Sequence, residues 1–437
     1  KRVQKVLTGM ILAGMLAGCG TAGQSATAQD PTVAAPTGTY VGMEENGVMS
    51  FKGIRYGTFT PFQAAGDVTT TTEDTIEAKT FGDNCIQPYS EVEVASQGPN
   101  SQDCLYLNIW TKDTTTTDKP VIVFIHGGSY IWGGTSDPTY DGQFFVRNLP
   151  EGEDCVFITI NYRLSFMGGV DMSSLEGYTE EYADAKNLSK LDQTQALKWI
   201  QENISAFGGD PDNVTIMGHS AGGGAVEMLV ADADCHAYFN RAIINSGSDT
   251  REMISDEIAA EQSQEIFEIL GVTSVEQLVN LTDEQISEKM EAINEVMHSG
   301  LRSADGNVIS KTWWEDLVNG AGADIDLMIG SVNGEEDWNA VDWDHSVSEP
   351  VDDPNVIRDM LETIETDYAG TYGRLYSLSL DGFYEGFLAM GEDPVKQAMD
   401  FYNQVCFVYP SLLLAQAQAE HNPNTYVYYW EYAPAAE

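Results

Sequence analysis

Positive charge is scarce in this chain. Its 437 residues hold 21 Lys and Arg against 68 Asp and Glu, a net charge of −47. A surface that anionic repels phosphate backbones and anionic headgroups, which excludes nucleic acid as a partner and leaves a lipid anchor as the route to a membrane. The acidic residues are spread through the helical segments instead of forming one tail, so they read as solvating surface. Cysteine is sparse, with 6 in all, and neither a C-x-x-C pair nor a spaced His/Cys cluster is present, so no metal site is read. Long apolar runs are absent: the run at residues 6–16 is too short to span a bilayer as a helix. No internal repeat occurs. What is present is a globular composition, 42% hydrophobic and 10% aromatic, in a chain long enough to bury a large α/β core.

The N-terminus reads as a targeting segment. Lys1, Arg2 and Lys5 precede the apolar run, which ends Leu16-Ala17-Gly18-Cys19, similar to a bacterial lipobox. Residues 1–18 are expected to be a signal peptide cut before Cys19, with Cys19 carrying lipid and the protein exported and anchored to the cell envelope. The alternative is an ordinary secretory peptide with an incidental cysteine. Residues 19–36, rich in Ala, Thr, Gln, Ser and Gly, read as a flexible tether. Cys85 and Cys104 enclose 18 residues. A bridge closing such a loop contributes about 3 kcal/mol, and two free thiols are the alternative. Cys155 sits beside an apolar run and reads as a small core residue, while Cys235 and Cys406 have no assignable role.

Apolar, β-branched runs recur at 121–125, 156–160, 214–217, 242–244, 327–329 and 426–430. Between them lie helical patterns, such as Leu191, Ala196, Leu197, Ile200 and Ile204 close to one face. Continuous strands alternating with helices predict a mainly parallel sheet covered on both faces. Residues 37–80 predict an antiparallel edge, with short strands around 47–56. Residues 255–300 carry acidic amphipathic helices, with Ser274/Gln277 and Thr282/Gln285 spaced as capping boxes. A helical insertion is expected at about 250–325 and a mixed one at about 336–400.

Residues 207–222 read FGGDPDNVTIMGHSAG and end in a G-x-S-x-G pattern at Gly218, Ser220 and Gly222. A buried strand that turns sharply through glycines into a helix displays the serine hydroxyl at the top of a sheet, so Ser220 reads as a nucleophile. The sequence His126-Gly127-Gly128-Ser129-Tyr130 directly follows the strand at 121–125. Backbone N–H groups in such a loop, with the N–H of Ala221, can face the carbonyl oxygen of a bound ester. A plain glycine turn is the alternative reading of that loop.

Taken together these segments resemble the type-B carboxylesterase family of α/β-hydrolases, which includes the cholinesterases. Residues 207–222 fit its nucleophile signature, and Gln102-Asp103-Cys104-Leu105-Tyr106-Leu107-Asn108-Ile109-Trp110 is similar to its second signature. Asn161-Tyr162-Arg163-Leu164, Leu191-Asp192-Gln193, Trp199 with Asn203-Ile204, and the stretch 241–248 resemble further segments in family order. The resemblance spans residues 37–437. It implies an α/β-hydrolase fold, hydrolysis of small-molecule carboxylic esters and no cofactor. By position it makes Ser220 the nucleophile, Gly128, Ser129 and Ala221 the oxyanion donors, and Cys85–Cys104 the first disulfide.

The triad acid in this family stands five residues after a glycine that closes a strand. Counting from Gly330 gives Glu335, with Glu336 and Asp337 beside it and Glu336 where a glycine is usual. A solvated acidic loop is the alternative. The family's base is a histidine in a loop beyond the strand that 426–430 resembles. None of the six histidines fits: His219 abuts the nucleophile, His126 belongs to the glycine loop, His236 and His298 precede the acid, His345 lies in an Asp-rich stretch, and His421 precedes the strand. The catalytic histidine is therefore expected beyond Glu437, the chain being truncated at its C-terminus. Gln102 replaces a usual acidic residue, and Thr60-Pro61-Phe62-Gln63 occupies the region of its arginine partner, so both charges are absent together. Tyr130, Trp132, Trp313, Trp314 and Trp338 are candidates for an apolar substrate pocket or for plain core. The competing functions are a catalytically inactive binding or adhesion module of the cholinesterase type, and a lipase-type esterase.

Overall fold

The apolar runs read from the sequence are strands of one sheet, and the last of them, 426–430, is an edge strand left largely exposed among the described residues instead of covered on both faces. The structure, a computed structural model, describes residues 30–88, 98–248, 255–297, 303–335 and 403–431, and all of these except Asp30 belong to one unit, Pro31–Glu437. Among the described residues the main sheet has nine strands: β1 (Met43–Glu45), β2 (Val48–Arg55), β3 (Tyr106–Thr111), β4 (Lys119–Ile125), β5 (Val156–Ile160), β6 (Gly209–His219), β7 (Arg241–Asn245), β8 (Asp326–Val332) and β9 (Thr425–Trp430). Their spatial order is β9-β8-β7-β6-β4-β5-β3-β2-β1. From β5 to β9 each neighbour is parallel, whereas β3 pairs antiparallel with β5 and β2, and β2 with β1.

Local chemistry explains the elements. All five residues of β5 are buried, as a strand covered on both faces requires. Cys155, just before β5, packs against Val48, Trp110, Phe124 and Phe157 as a small core residue. Asn46 (φ 50°) and Gly47 (φ 77°) both take the left-handed region, which suits the two-residue hairpin joining β1 to β2. The first strand of a smaller sheet, Thr32–Ala35, pairs with Gly38–Val41 and points Val33 and Ala35 inward. This corrects the tether expected over 19–36: residues 32–35 alternate between outside and inside, a pattern hidden by their small side chains.

Helix α1 (Leu188–Asn203) buries Ala196, Leu197, Trp199 and Ile200 in the main core. Helix α2 (Ala221–Ala231) begins at the residue after Ser220. Helices α3 (Asp256–Leu270), α4 (Val275–Val279), α5 (Asp283–Ser287) and α6 (Met290–Val296) join Phe166 and Met167 in a second apolar cluster. Thr282 and Gln285 make the reciprocal capping box. At Ser274 only half of it forms, because the Gln277 side-chain Oε1 accepts instead from the Thr273 N–H. Two more helices, α7 (Trp313–Val318) and α8 (Tyr409–His421), complete the set used below. The stretch expected as a mixed insertion, 336–400, lies outside the described residues, as does Cys19.

Strand β4 leads to β5 on one side, and the chain returns through α1 to β6 on the other. Connections therefore leave β4 in opposite directions, and the crevice beyond the C-terminal ends of β4 and β6 is where such a sheet presents ligands. Ile125 pairs with Gly218, so the loops beginning at His126 and His219 leave the sheet side by side. A disulfide joins Cys85 and Cys104, while among the described residues Cys155, Cys235 and Cys406 are buried and outside any disulfide.

Candidate active site

Ser220 occupies the turn between β6 and α2 with φ 55° and ψ −126°. That backbone region is costly for a residue with a Cβ and is held only where the surroundings enforce it. The enforcement is visible. The Ser220 N–H donates to the Asn245 carbonyl at 3.0 Å, and the Ser220 carbonyl accepts from Gly224 at 3.0 Å. A Cβ on Gly218 would lie 2.0 Å from the Gly222 carbonyl oxygen, and one on Gly222 would lie 2.1 Å from that of Ile125. Only glycines let the strand, the elbow and the helix come this close. Ser220 itself keeps part of its surface exposed.

The loop after β4 wraps against this elbow. Gly128 (φ 103°), Ser129 (φ 52°) and Tyr130 (φ 60°) are consecutive left-handed residues. Their turn is closed by the Ile131 and Trp132 amides, both donating to the Gly128 carbonyl. A Cβ on Gly127 would lie 3.0 Å from the Ser220 Cβ, so this loop touches the elbow directly. Support comes from below: Tyr162 Oη donates to the His126 carbonyl at 2.8 Å, and the Ser165 N–H to the Tyr130 carbonyl at 2.7 Å. Among the described residues the N–H groups of Gly128, Ser129 and Ala221 meet no protein acceptor. Ala221 is the first residue of α2, where no intrahelical partner exists.

His126 is fully buried, stacks on Tyr162 at 4.5 Å, and donates from Nδ1 to the Gly127 carbonyl at 2.8 Å. Burial pushes its pKa down to about 4, so the ring is neutral and acts as a brace for the loop.

Glu335 is half-buried just past β8. Its Oε1 accepts from the Val332 N–H at 2.7 Å, and its carboxylate also accepts from the Ser246 hydroxyl. Burial raises its pKa above the usual carboxylate value, and these two donors pull part of the way back. Ser246 is held at φ 48° with its N–H on the Gly330 carbonyl at 2.8 Å. Ser220 and Glu335 are thus tied to consecutive residues, Asn245 and Ser246, at the end of β7. Tyr428 donates to Asn245 Oδ1 at 2.8 Å.

Asn245, Ser246 and Tyr428 were not identifiable as site residues from the sequence. Each acts across strands: the sequence marks residues 241–248 only as a segment similar to the family's, and 426–430 only as an apolar run.

The histidines are scattered. His219 is exposed beside Ser220. His236 is pinned between the Val230 carbonyl and Asp324, beyond the C-terminal end of α2. His421 sits at 3.2 Å from the Val318 carbonyl, before β9 begins, so it belongs to the opposite end of the sheet from Ser220. His298 and His345 lie outside the described residues, as do Glu336, Asp337 and Trp338. Among the described residues no imidazole is hydrogen-bonded to Glu335.

Gln102 reaches Asp283 Oδ1 and the Leu281 carbonyl, both at 3.0 Å, and Gln63 reaches Glu181 at 2.9 Å. Both positions are neutral, in line with the paired loss of charge. The neighbouring Asp103 forms a bidentate pair with Arg55 at 2.6 and 2.9 Å, a contact missed in the sequence. Tyr130 is almost fully buried, Trp132 partly so, and Trp313 and Trp314 meet edge-on at 5.7 Å against the main core. Among the described residues no group of three or more His, Cys, Asp or Glu is placed to hold a metal ion.

Known proteins resemble this chain over most of its length. The model of the carboxylesterase family matches residues 29–437. The chain is 36% identical over 317 residues to the para-nitrobenzyl esterase of Bacillus subtilis, covering 68% of this chain and 61% of that protein. It is 30% identical over 360 residues to cholinesterase 1 of Branchiostoma lanceolatum, covering 77% of this chain and 96% of that one. A crystal structure of a Geobacillus stearothermophilus carboxylesterase superposes with a TM-score of 0.74 at 28% identity, covering 93% of this chain and 80% of that chain. The chain thus spans about three fifths of the length of the para-nitrobenzyl esterase.

Proposed function

This chain belongs to the carboxylesterase family and has its α/β-hydrolase fold, and we propose that it hydrolyses carboxylic esters through an acyl-enzyme on Ser220. The observation that carries the reading is the strained, partly exposed Ser220 beside a glycine loop in which, among the described residues, the N–H groups of Gly128 and Ser129 meet no protein acceptor. A module that only binds has no need of that arrangement.

In the proposed reaction, Ser220 Oγ attacks the ester carbonyl carbon as its proton passes to a histidine outside the described residues. The carbonyl oxygen becomes an oxyanion and is held by the N–H groups of Gly128, Ser129 and Ala221. One such donor is worth about 10²–10³ in turnover. The C–O bond to the alcohol breaks, and the alcohol leaves with the proton taken from Ser220. Water, deprotonated by the same imidazole, then attacks the acyl-serine ester; the bond from the acyl carbon to Ser220 Oγ breaks, the imidazole returns the proton to Oγ, and the acid leaves. Glu335 would orient that imidazole and stabilise its charged form. The para-nitrobenzyl esterase and cholinesterase relatives suggest small aryl or alkyl esters as substrates. The test is turnover of a p-nitrophenyl ester by the protein and by Ser220→Ala. A loss of about 10⁶-fold is expected, and unchanged turnover would refute the assignment.

A second reading rests on one observation, that no described imidazole meets Glu335. It is a catalytically silent ester-binding module, for which both proteins would be equally inactive. The signal peptide over residues 1–18 and lipidation of Cys19 belong to the same proposal, supported by the order basic residues, apolar run, Leu16-Ala17-Gly18-Cys19. Metabolic labelling with a radioactive fatty acid, lost on Cys19→Ser, tests this.

A further inference from the structure

His219, Asn245, Gly330 and Tyr428 stand in one row across β6, β7, β8 and β9. The third position is glycine, and its emptiness is used. A Cβ on Gly330 would lie 2.2 Å from the Tyr428 carbonyl oxygen and 2.5 Å from its ring, so the Tyr428 ring lies over Gly330. From there its hydroxyl passes β8 and reaches Asn245 Oδ1 on β7 at 2.8 Å. The backbone carbonyl of that asparagine is the acceptor of the Ser220 N–H. Tyr428 differs from its neighbours on this edge strand: Tyr426, Val427, Tyr429 and Trp430 are between 42% and 57% exposed, whereas Tyr428 is half-buried and turned inward.

We propose that Tyr428 is a positioning residue for the nucleophile: by holding Asn245 it fixes the carbonyl that anchors the Ser220 amide in its left-handed turn. The inference rests on the reading of Ser220 as the nucleophile and adds a residue that never touches the substrate. Burial and the nearby charge of Glu335 push the Tyr428 phenol up to about 12, so the hydroxyl stays a donor throughout the working pH range. The hydrogen bond is a strut from β9 to β7. Ser220 holds a strained backbone, and displacements well under 1 Å at the attacking oxygen are enough to slow acylation.

The experiment is a double-mutant cycle in the full chain with Tyr428→Phe, Asn245→Ala and both together. It reads kcat and KM on a p-nitrophenyl ester, the rate of Ser220 phosphonylation by a fluorophosphonate, and the unfolding midpoint. Phenylalanine keeps the ring over Gly330 and removes only the donor. The expected result is a fall of about five- to tenfold in kcat and in phosphonylation rate for Tyr428→Phe, with KM within about twofold and the protein folded at assay temperature. The double variant is expected to be no slower than the slower single one, because both break the same strut. If Tyr428→Phe fails to fold, Asn245→Ala alone carries the rate test. Rates within about 1.5-fold of the parent, or losses that multiply in the double variant, overturn the proposal. Ser220→Ala in the same series separates the two readings. If it still turns over ester, the nucleophile assignment fails. If it is inactive while Tyr428→Phe matches the parent, only the strut fails.

Discussion

Arg163 and Asp192 form a bidentate ion pair sealed beneath the glycine loop. Nε and Nη2 of Arg163 donate to the two carboxylate oxygens at 2.7 and 2.6 Å, and the Arg163 N–H adds a third bond at 3.0 Å. Their side chains are 2% and 0% exposed. The pair joins α1 to the segment 161–165, which carries Tyr162 under His126 and Ser165 under Tyr130. Removing one partner leaves the other charge buried, which costs about 3–5 kcal/mol. Asp192→Ala is therefore expected to lose stability on that scale in urea denaturation. A loss below about 1 kcal/mol would mean that the buried pair is not a principal support of this loop.

His126 gives a pH prediction. Its folded pKa of about 4 lies below the ordinary value of 6.5. Above pH 6.5 both folded and unfolded chains carry it neutral, and it contributes nothing to the pH dependence. As pH falls from 6.5 towards 4 the unfolded chain takes up a proton that the folded one refuses. Native stability then declines by up to about 3 kcal/mol from this residue alone. Ring NMR signals of His126 should show no more than about a tenth of full protonation between pH 7 and 5, and a midpoint near 6.5 would refute its buried, neutral role.

Gly128 is a direct test of the oxyanion loop. At φ 103°, a Cβ on this residue would also lie 2.2 Å from the Trp132 carbonyl oxygen. Gly128→Ala must therefore bend the loop away and misdirect its N–H groups. A fall in kcat of about 10²-fold or more is expected in a protein that still folds, measured on a p-nitrophenyl ester. Full turnover would place oxyanion stabilisation elsewhere.

The Cys85–Cys104 bridge closes a loop of 18 residues. Replacing both cysteines by alanine is expected to cost about 3 kcal/mol in the chain-entropy account. Urea denaturation of this variant, compared with the oxidised parent, measures it. Equal midpoints would show that the loop gains nothing from being tied.

Strands buried on both faces were the most legible part of the sequence. The run at 156–160 is strand β5 residue for residue, because every position in it is apolar or β-branched and buried. Strand β6 was read only over 214–217 but extends over Gly209–His219, with an irregular register between Gly209 and Val214. Asp210-Pro211-Asp212-Asn213 fall in that irregular stretch and carry no apolar pattern. Helix α8 was not anticipated: its apolar residues cluster at Leu412-Leu413-Leu414 instead of recurring along one face. At the site, Ser220 and the glycine loop were legible because strained turns demand particular small residues at fixed spacing. Glu335 was read by its distance from Gly330, and the structure adds what holds it, the Ser246 hydroxyl and the Val332 amide. Asn245, Ser246 and Tyr428 owe their placement to strand register over long separations, for which no local residue pattern exists.

Peptide mass spectrometry of the protein after reaction with a fluorophosphonate tests the central claim most directly. The account predicts a single covalent adduct on the Ser220 hydroxyl, abolished by Ser220→Ala and blocked by excess ester substrate. Ester hydrolysis that persists with Ser220 unmodified, or an adduct on another residue, would contradict it.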